Sequence, residues 1–227
     1  MADNSLTAVP LIALLFFIIT KRTKSLLKNQ NKEKYFPIYT PEKTADAIQE
    51  TKSVGKIPEE LFHPICAEEA FTIKDLTVNP MRISHDAADP VGYRFSYGSS
   101  HAAVCTDLGT YNDYTVECLK GMDVLLLEAN HDVNMLQVGS YPYYLKQRIL
   151  GNRGHLSNEN SGRLLSRVLH DNLKKVILGH LSQENNLTEL TYETVRMEID
   201  LADNPYHGGD FPIQVAKRNE VSEMICF

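Results

Sequence analysis

Two stretches limit the folds open to this chain more than any others: "DVLLLEAN" (123–130) and "KKVILGHLS" (174–182). Continuous apolar runs of this length mark strands that are covered on both faces. The segments around them have helix signals. Tyr114–Leu119 is stopped by Gly121, and 142–151 starts at Pro142 and ends at Gly151. Residues 157–173 have Ser157 as an N-cap, and Thr188–Arg196 is a further helix. Doubly covered strands alternating with helices predict a sheet packed under helices, the α/β (α+β) class.

The remaining segments fit that class. "FPIYT" (36–40) is a short strand stopped by Pro41, and 41–51 is a helix with that proline at its start. Residues 55–65 hold two prolines and read as a loop, with His63 closing it. Residues 71–84 give two strands about a turn at Lys74-Asp75, "VGYRFSY" (91–97) alternates like a half-buried strand, and 101–109 runs from a strand into a glycine-containing loop. The tail 222–227 reads as a last strand.

The first 34 residues stand apart as a divergent segment, leaving 35–227 as the main domain. "AVPLIALLFFIIT" (8–20) precedes the basic "KRTKSLLKNQNKEK" (21–34). At about 13 residues with Pro10 inside, it is short for a membrane span, which takes about 20. A secretory signal places its positive charge before the apolar run, and here the charge follows. A buried strand at "LFFII" is the third reading, and no stable membrane insertion is expected. Residues 1–34 carry six Lys/Arg and two acids, so the rest holds −10 against a net charge of −6. Such a balance gives no general reason to expect nucleic-acid binding. Cys66, Cys105, Cys118 and Cys226 form no CxxC pair and read as buried or incidental thiols of a reducing compartment.

Polar residues collect at strand ends. His85, Asp107, Glu128 and His180 each lie at the carboxyl end of an expected strand, the edge where open α/β sheets build sites. Two imidazoles and a carboxylate suit Zn, Mn or Fe. Taken alone, a histidine after a strand more often caps a loop than binds a metal, and Asp107 can bond its own turn. Glu128 reads as a structural acceptor for loop amides. His131 and His170 read as surface residues, and His101 falls at a hairpin turn.

Taken together, "RISHDAADPVGYRF", "VCTDLGTYND", "LLLEANHDVNML", "YPYYLKQRILGNRGHLSNENSGRLL", "ILGHLSQENN" and "VAKRNEVSE" resemble the WalJ (YycJ) branch of the metallo-β-lactamase-fold hydrolases, from Phe36 to the C-terminus. The resemblance implies an αβ/βα sandwich with two divalent ions (Zn or Mn) at the sheet edges. It further implies a cytoplasmic phosphodiesterase or DNA exonuclease with nucleic acid as substrate. By the same resemblance His85 and His180 are metal ligands, Asp107 bridges two ions, and His155 stabilises charge developing on phosphate.

The chain departs from that branch in one respect. The branch has a His-x-His-x-Asp-His motif after an early strand, whereas no histidine here precedes His63. Where the motif would follow "FFIIT", the chain reads "KRTKSLLKNQ", and Lys21, Arg22 and Lys24 repel a cation. The glycine-rich opening strands of the branch are missing too. Two expectations follow: a hydrolase with reduced metal occupancy, or an N-terminally altered remnant that is catalytically silent or binds a partner.

Overall fold

A computed structural model describes residues 37–227. The expectations for the apolar run 8–20 and the basic run 21–34 lie outside the described residues. Among the described residues no helix is long and apolar enough to cross a membrane. The described residues divide into two compact units, the smaller comprising 37–69 with 87–89 and the larger 70–86 with 90–227.

In the smaller unit, β1 (Ile38–Thr40) leads through Pro41 into helix α1 (Glu42–Glu50). Pro41 has φ −56°, the value its ring imposes and a helix start needs. The chain returns in β2 (Phe62–Pro64), parallel to β1. That strand lies where a loop is expected from the two prolines. It forms because the Tyr39 and His63 rings stack at 5.0 Å and Ile65 N–H donates to the Thr40 carbonyl at 3.1 Å. His63 is therefore a strand residue.

The larger unit is a seven-stranded sheet whose strands lie side by side in chain order. β3 (Phe71–Ile73), β4 (Leu76–Arg82), β5 (Val91–Tyr97) and β6 (Ser100–Cys105) pair antiparallel. β6, β7 (Val124–Glu128), β8 (Lys175–Gly179) and β9 (Ile213–Val215) pair parallel. Two antiparallel pairings separate β4 from β6, so β4 runs in the same direction as β6, β7 and β8. The carboxyl ends of all four share one edge of the sheet.

The helices are α2 (Asp113–Leu119), α3 (Val133–Val138), α4 (Tyr143–Leu150), α5 (Asn158–Ser166) and α6 (Thr188–Leu201). Leu125, Leu127, Val176 and Leu178 of the sheet join one core with Leu119 of α2, Leu164 and Leu165 of α5, and Val195 and Ile199 of α6. Each fully buried leucine of this kind contributes about 1.5–3 kcal/mol by leaving water.

Four expectations for this unit need correction. The helix from Ser157 ends at Ser166, because beyond it the backbone closes tighter turns and His170 bonds the Met122 carbonyl at 3.0 Å. His170 is thus half-buried and tied to the fold, not a free surface residue. Helix α6 runs on to Leu201, since Thr191, Val195 and Ile199 repeat every four residues on one buried face. The last strand is Ile213–Val215, which takes the free edge of β8; residues 222–227 form no strand.

A buried amide braces the loop after β7. Asn186 Nδ2 donates to the carbonyls of Ala129 and Asn130, at 3.1 and 3.0 Å. Its Oδ1 accepts from Leu187 N–H, the Thr191 hydroxyl and Asn158 Nδ2. Removing the amide strands several buried partners at once. Asn186→Ala is expected to destabilise the protein by about 3 kcal/mol, read as a fall in the denaturant midpoint with unchanged slope.

Candidate metal centre

The carboxyl edge carries the site. His85 lies three residues beyond β4, and Asp107 two beyond β6. Glu128 is the last residue of β7, and His180 directly follows β8. His155 comes from the loop that leads into α5. Asp107 and His180 have φ of +58° and +61°, the left-handed region that non-glycine residues rarely enter. Such backbone is held only where its surroundings require it.

Three loops interlock around these residues. Gly109 N–H donates to the Ser84 carbonyl at 2.8 Å, and the Ser84 hydroxyl donates to the Asn152 carbonyl at 2.7 Å. A Cβ on Gly109 would lie 2.4 Å from both Asn152 O and Gly154 N. Only glycine allows the 107–109 turn to approach the 152–155 loop this closely.

The three imidazoles share one pattern: Nδ1 of each is tied to a fixed acceptor. His85 Nδ1 meets the Gly154 carbonyl at 3.0 Å, and His155 and His180 Nδ1 meet Glu128 Oε1 at 2.8 and 2.7 Å. An Nδ1–H held in this way leaves Nε2 as the free donor atom, the arrangement found behind metal-binding histidines. The Nε2 atoms of His85 and His180 lie 3.8 and 3.4 Å from Asp107 Oδ1. His155 Nδ1 lies 3.7 Å from the same oxygen. Two donors on one zinc at the tetrahedral angle stand about 3.3–3.6 Å apart, so the Nε2 spacings of His85 and His180 suit a shared ion, whereas His155 Nδ1 is already engaged by Glu128.

The four residues singled out in the sequence, His85, Asp107, His155 and His180, are thus brought together. Donor atoms of His85, Asp107 and His155 lie within 4.8 Å of one another, as do those of Glu128, His155 and His180. Asp107 is 5% exposed, and among the described residues its Oδ2 is buried without a hydrogen-bond partner. A buried carboxylate oxygen left unpaired is costly, and a cation is the partner that its chemistry calls for. The residues present therefore fit a divalent ion with mixed N and O donors.

Glu128 plays a larger part than that of a loop acceptor. It is fully buried; Oε2 accepts Leu108 N–H at 2.6 Å while Oε1 receives both imidazoles. Burial raises its pKa, but the bonds from His155 and His180 outweigh burial and hold it at about 2. Burial likewise opposes the charge on His180, yet its bond to Glu128 and the charges of Glu128 and Asp107 push it up to about 9. Asp107 is shifted upward by burial, with His180 acting against the shift.

His131 is not at the surface. It is 1% exposed, pairs in a parallel bridge with Ser157, and contacts Asn130 Oδ1 at 3.3 Å. Burial lowers its pKa to about 4, so it is neutral at pH 7. The apolar run of β7 carries the chain into the interior beyond its last residue, and His131 follows it inward. His101 is the second residue of β6, just past the Gly98 turn, and bonds the Ser96 hydroxyl at 2.9 Å. Asp86 was not singled out in the sequence. Its Oδ1 lies 3.5 Å from His85 Nε2, but both its oxygens are engaged by Arg148.

Helix-covered parallel strands whose common edge gathers three imidazoles and two carboxylates define an α/β protein with a metal-type centre. Residues 20–181 match the family model described as a beta-lactamase superfamily domain, and the chain belongs to that superfamily. It is 39% identical to the exodeoxyribonuclease WalJ of Streptococcus pneumoniae serotype 2 over 166 residues, 73% of this chain and 62% of the relative. It is 35% identical to the exodeoxyribonuclease YycJ of Bacillus anthracis over 164 residues, 72% of this chain and 61% of the relative. The chain therefore spans about three fifths of the length of these curated relatives. The metallo-beta-lactamase fold protein YhfI from Bacillus subtilis superposes with a TM-score of 0.55 at 15% identity, covering 80% of this chain and 62% of that one. The chain has the metallo-β-lactamase fold, which implies divalent metal ions.

The pair of Glu128 and His180 sets a pH dependence for the metal-free protein. The raised pKa of His180 contributes stability that is complete below about 6.5 and is lost as pH rises through about 9. The lowered pKa of Glu128 contributes stability that is present above about 4.5 and is lost as pH falls towards about 2. In chelator, unfolding free energy is expected to decline from pH 6.5 to 9. Glu128→Gln should flatten that decline and destabilise by about 3 kcal/mol near pH 6, since a buried pair loses one charge. Denaturant titrations across pH check both.

Proposed function

We propose that this chain holds part of the metal site of a phosphodiester hydrolase acting on DNA. The observation behind the reading is the convergence of His85 Nε2 and His180 Nε2 on Asp107 Oδ1. Its relatives are named exodeoxyribonucleases. In this reading His85, Asp107 and His180 hold divalent metal, Zn or Mn, both of which accept imidazole and carboxylate donors. A divalent ion there supplies Lewis acidity and lowers the pKa of water.

The side chains do the rest. Asp107 sets its carboxylate between the His85 and His180 rings and neutralises positive charge. Glu128 orients His155 and His180 from behind and raises the basicity of both rings. His155, with Nδ1 held by Glu128, presents its other nitrogen to a phosphoryl oxygen, where a fixed donor stabilises developing charge. A reducing, cytoplasmic setting belongs to this reading and is supported by free thiols at Cys66, Cys105, Cys118 and Cys226.

The missing His-x-His-x-Asp-His histidines favour a second reading, a catalytically silent, partner-binding chain. Catalytic zinc takes three protein donors. Two ions sharing Asp107 would have one imidazole each from His85 and His180, whereas a single ion would take both imidazoles with Asp107 and so reach three donors. Metal analysis of the purified chain is expected to give no more than about one ion per chain; two tightly held ions would contradict this.

Mn- or Zn-dependent cleavage of a generic phosphodiester and of single-stranded DNA separates the readings. His85→Ala, Asp107→Ala and His180→Ala are each expected to abolish cleavage. His155→Ala should keep the metal and lower kcat by about 10²–10³. Wild-type activity in any of the first three removes that residue from the site. No cleavage by the unaltered chain with either metal leaves the silent reading.

A further inference from the structure

Most exposed cations of the larger unit are neutralised locally. Arg148 meets Asp86, Arg163 meets Glu198, Arg167 meets Asp113, Lys174 meets Asp123 and Lys217 meets Glu220. Arg153 and Arg218 are different. Both are exposed, and among the described residues neither meets a carboxylate. This is notable in a chain with 29 acids and 23 bases.

Each of the two instead bonds a backbone carbonyl at the histidine cluster. Arg153 Nε donates to the carbonyl of His85 itself at 3.0 Å. Arg218 Nη2 donates to the carbonyl of Leu181, the residue after His180, at 2.7 Å. The two anchors lie on the loops after β4 and β8, which flank Asp107 on either side. A guanidinium has five N–H donors, and one anchoring bond leaves the others unmatched by any acid. Because the anchor fixes a planar fork, little further freedom is lost when a phosphate binds.

We infer that Arg153 and Arg218 form a two-armed clamp for the backbone phosphates of a nucleic-acid strand, one on each side of the His85–Asp107–His180 cluster. The inference rests on the DNA reading of the site and deepens it. The arms act on the phosphates that flank the reacting one, as positioning residues. What the salt dependence counts is their charge, so lysine preserves the slope even without the guanidinium fork, and glutamine lowers it. A purely structural carbonyl bond would show no such distinction.

The test is binding of a labelled single-stranded oligothymidylate to the full chain in chelator, followed across salt concentration. Each phosphate neutralised on a single strand contributes about 0.7 to the slope of log K against log salt. Arg153→Gln and Arg218→Gln should each lower the slope by about 0.7, and the double variant by about 1.4. Arg153→Lys and Arg218→Lys should restore it, and Arg167→Gln, in its ion pair with Asp113, should leave it unchanged. Binding with the same slope in wild type and both glutamine variants overturns the clamp while the DNA reading stands. A slope lowered equally by lysine and glutamine also overturns it, because the role is then structural. No binding by the unaltered chain overturns the clamp together with the DNA reading.

Discussion

The site depends on one buried carboxylate. Glu128 sits at the end of β7, fully out of water, and is stabilised as an anion because three donors reach it: Leu108 N–H, His155 and His180. Each of those bonds does structural and chemical work together. The Leu108 bond fixes the turn that contains Asp107, whose left-handed backbone needs such a constraint. The two imidazole bonds fix ring orientation and leave Nε2 of each ring as the available donor. Glu128 thus links β6, β7, β8 and the loop before α5, and it aligns the groups around Asp107.

Much of this was legible in the sequence, for a specific reason. A doubly covered strand has to be apolar along its whole length, so the first polar residue after it marks the sheet edge. That rule located Glu128 after "VLLL" and His180 after "VILG"; His85 and Asp107 follow shorter strand-like runs, 71–84 and 101–109, whose ends mark the same edge. The family resemblance added His155, which no strand-end rule could find, since it lies in a loop 27 residues from its partner Glu128. The fold class followed from the same apolar runs.

What was not legible depended on contacts between distant segments. Nothing in "ANHD" says that His131 turns inward; its burial comes from the bridge to Ser157 and the amides that brace that loop. β2 looks like loop from its prolines, and it becomes a strand only because β1 offers a parallel edge. β9 is three residues long and exists because β8 has a free edge to pair. Asp86 stands next to His85 in the sequence, but Arg148 holds its carboxylate, so adjacency along the chain did not translate into a donor.

The bonds behind the rings also bear on the missing histidines. Gly154 O, Glu128 and the interlocked loops at Ser84, Gly109 and Asn152 hold the three imidazoles through protein bonds alone. Their placement does not draw on the His-x-His-x-Asp-His motif. Fewer donors around an ion would leave the arrangement of the described ones unchanged. The cost falls on the Asp107 Oδ2 atom, which among the described residues is buried and unpaired unless a cation meets it.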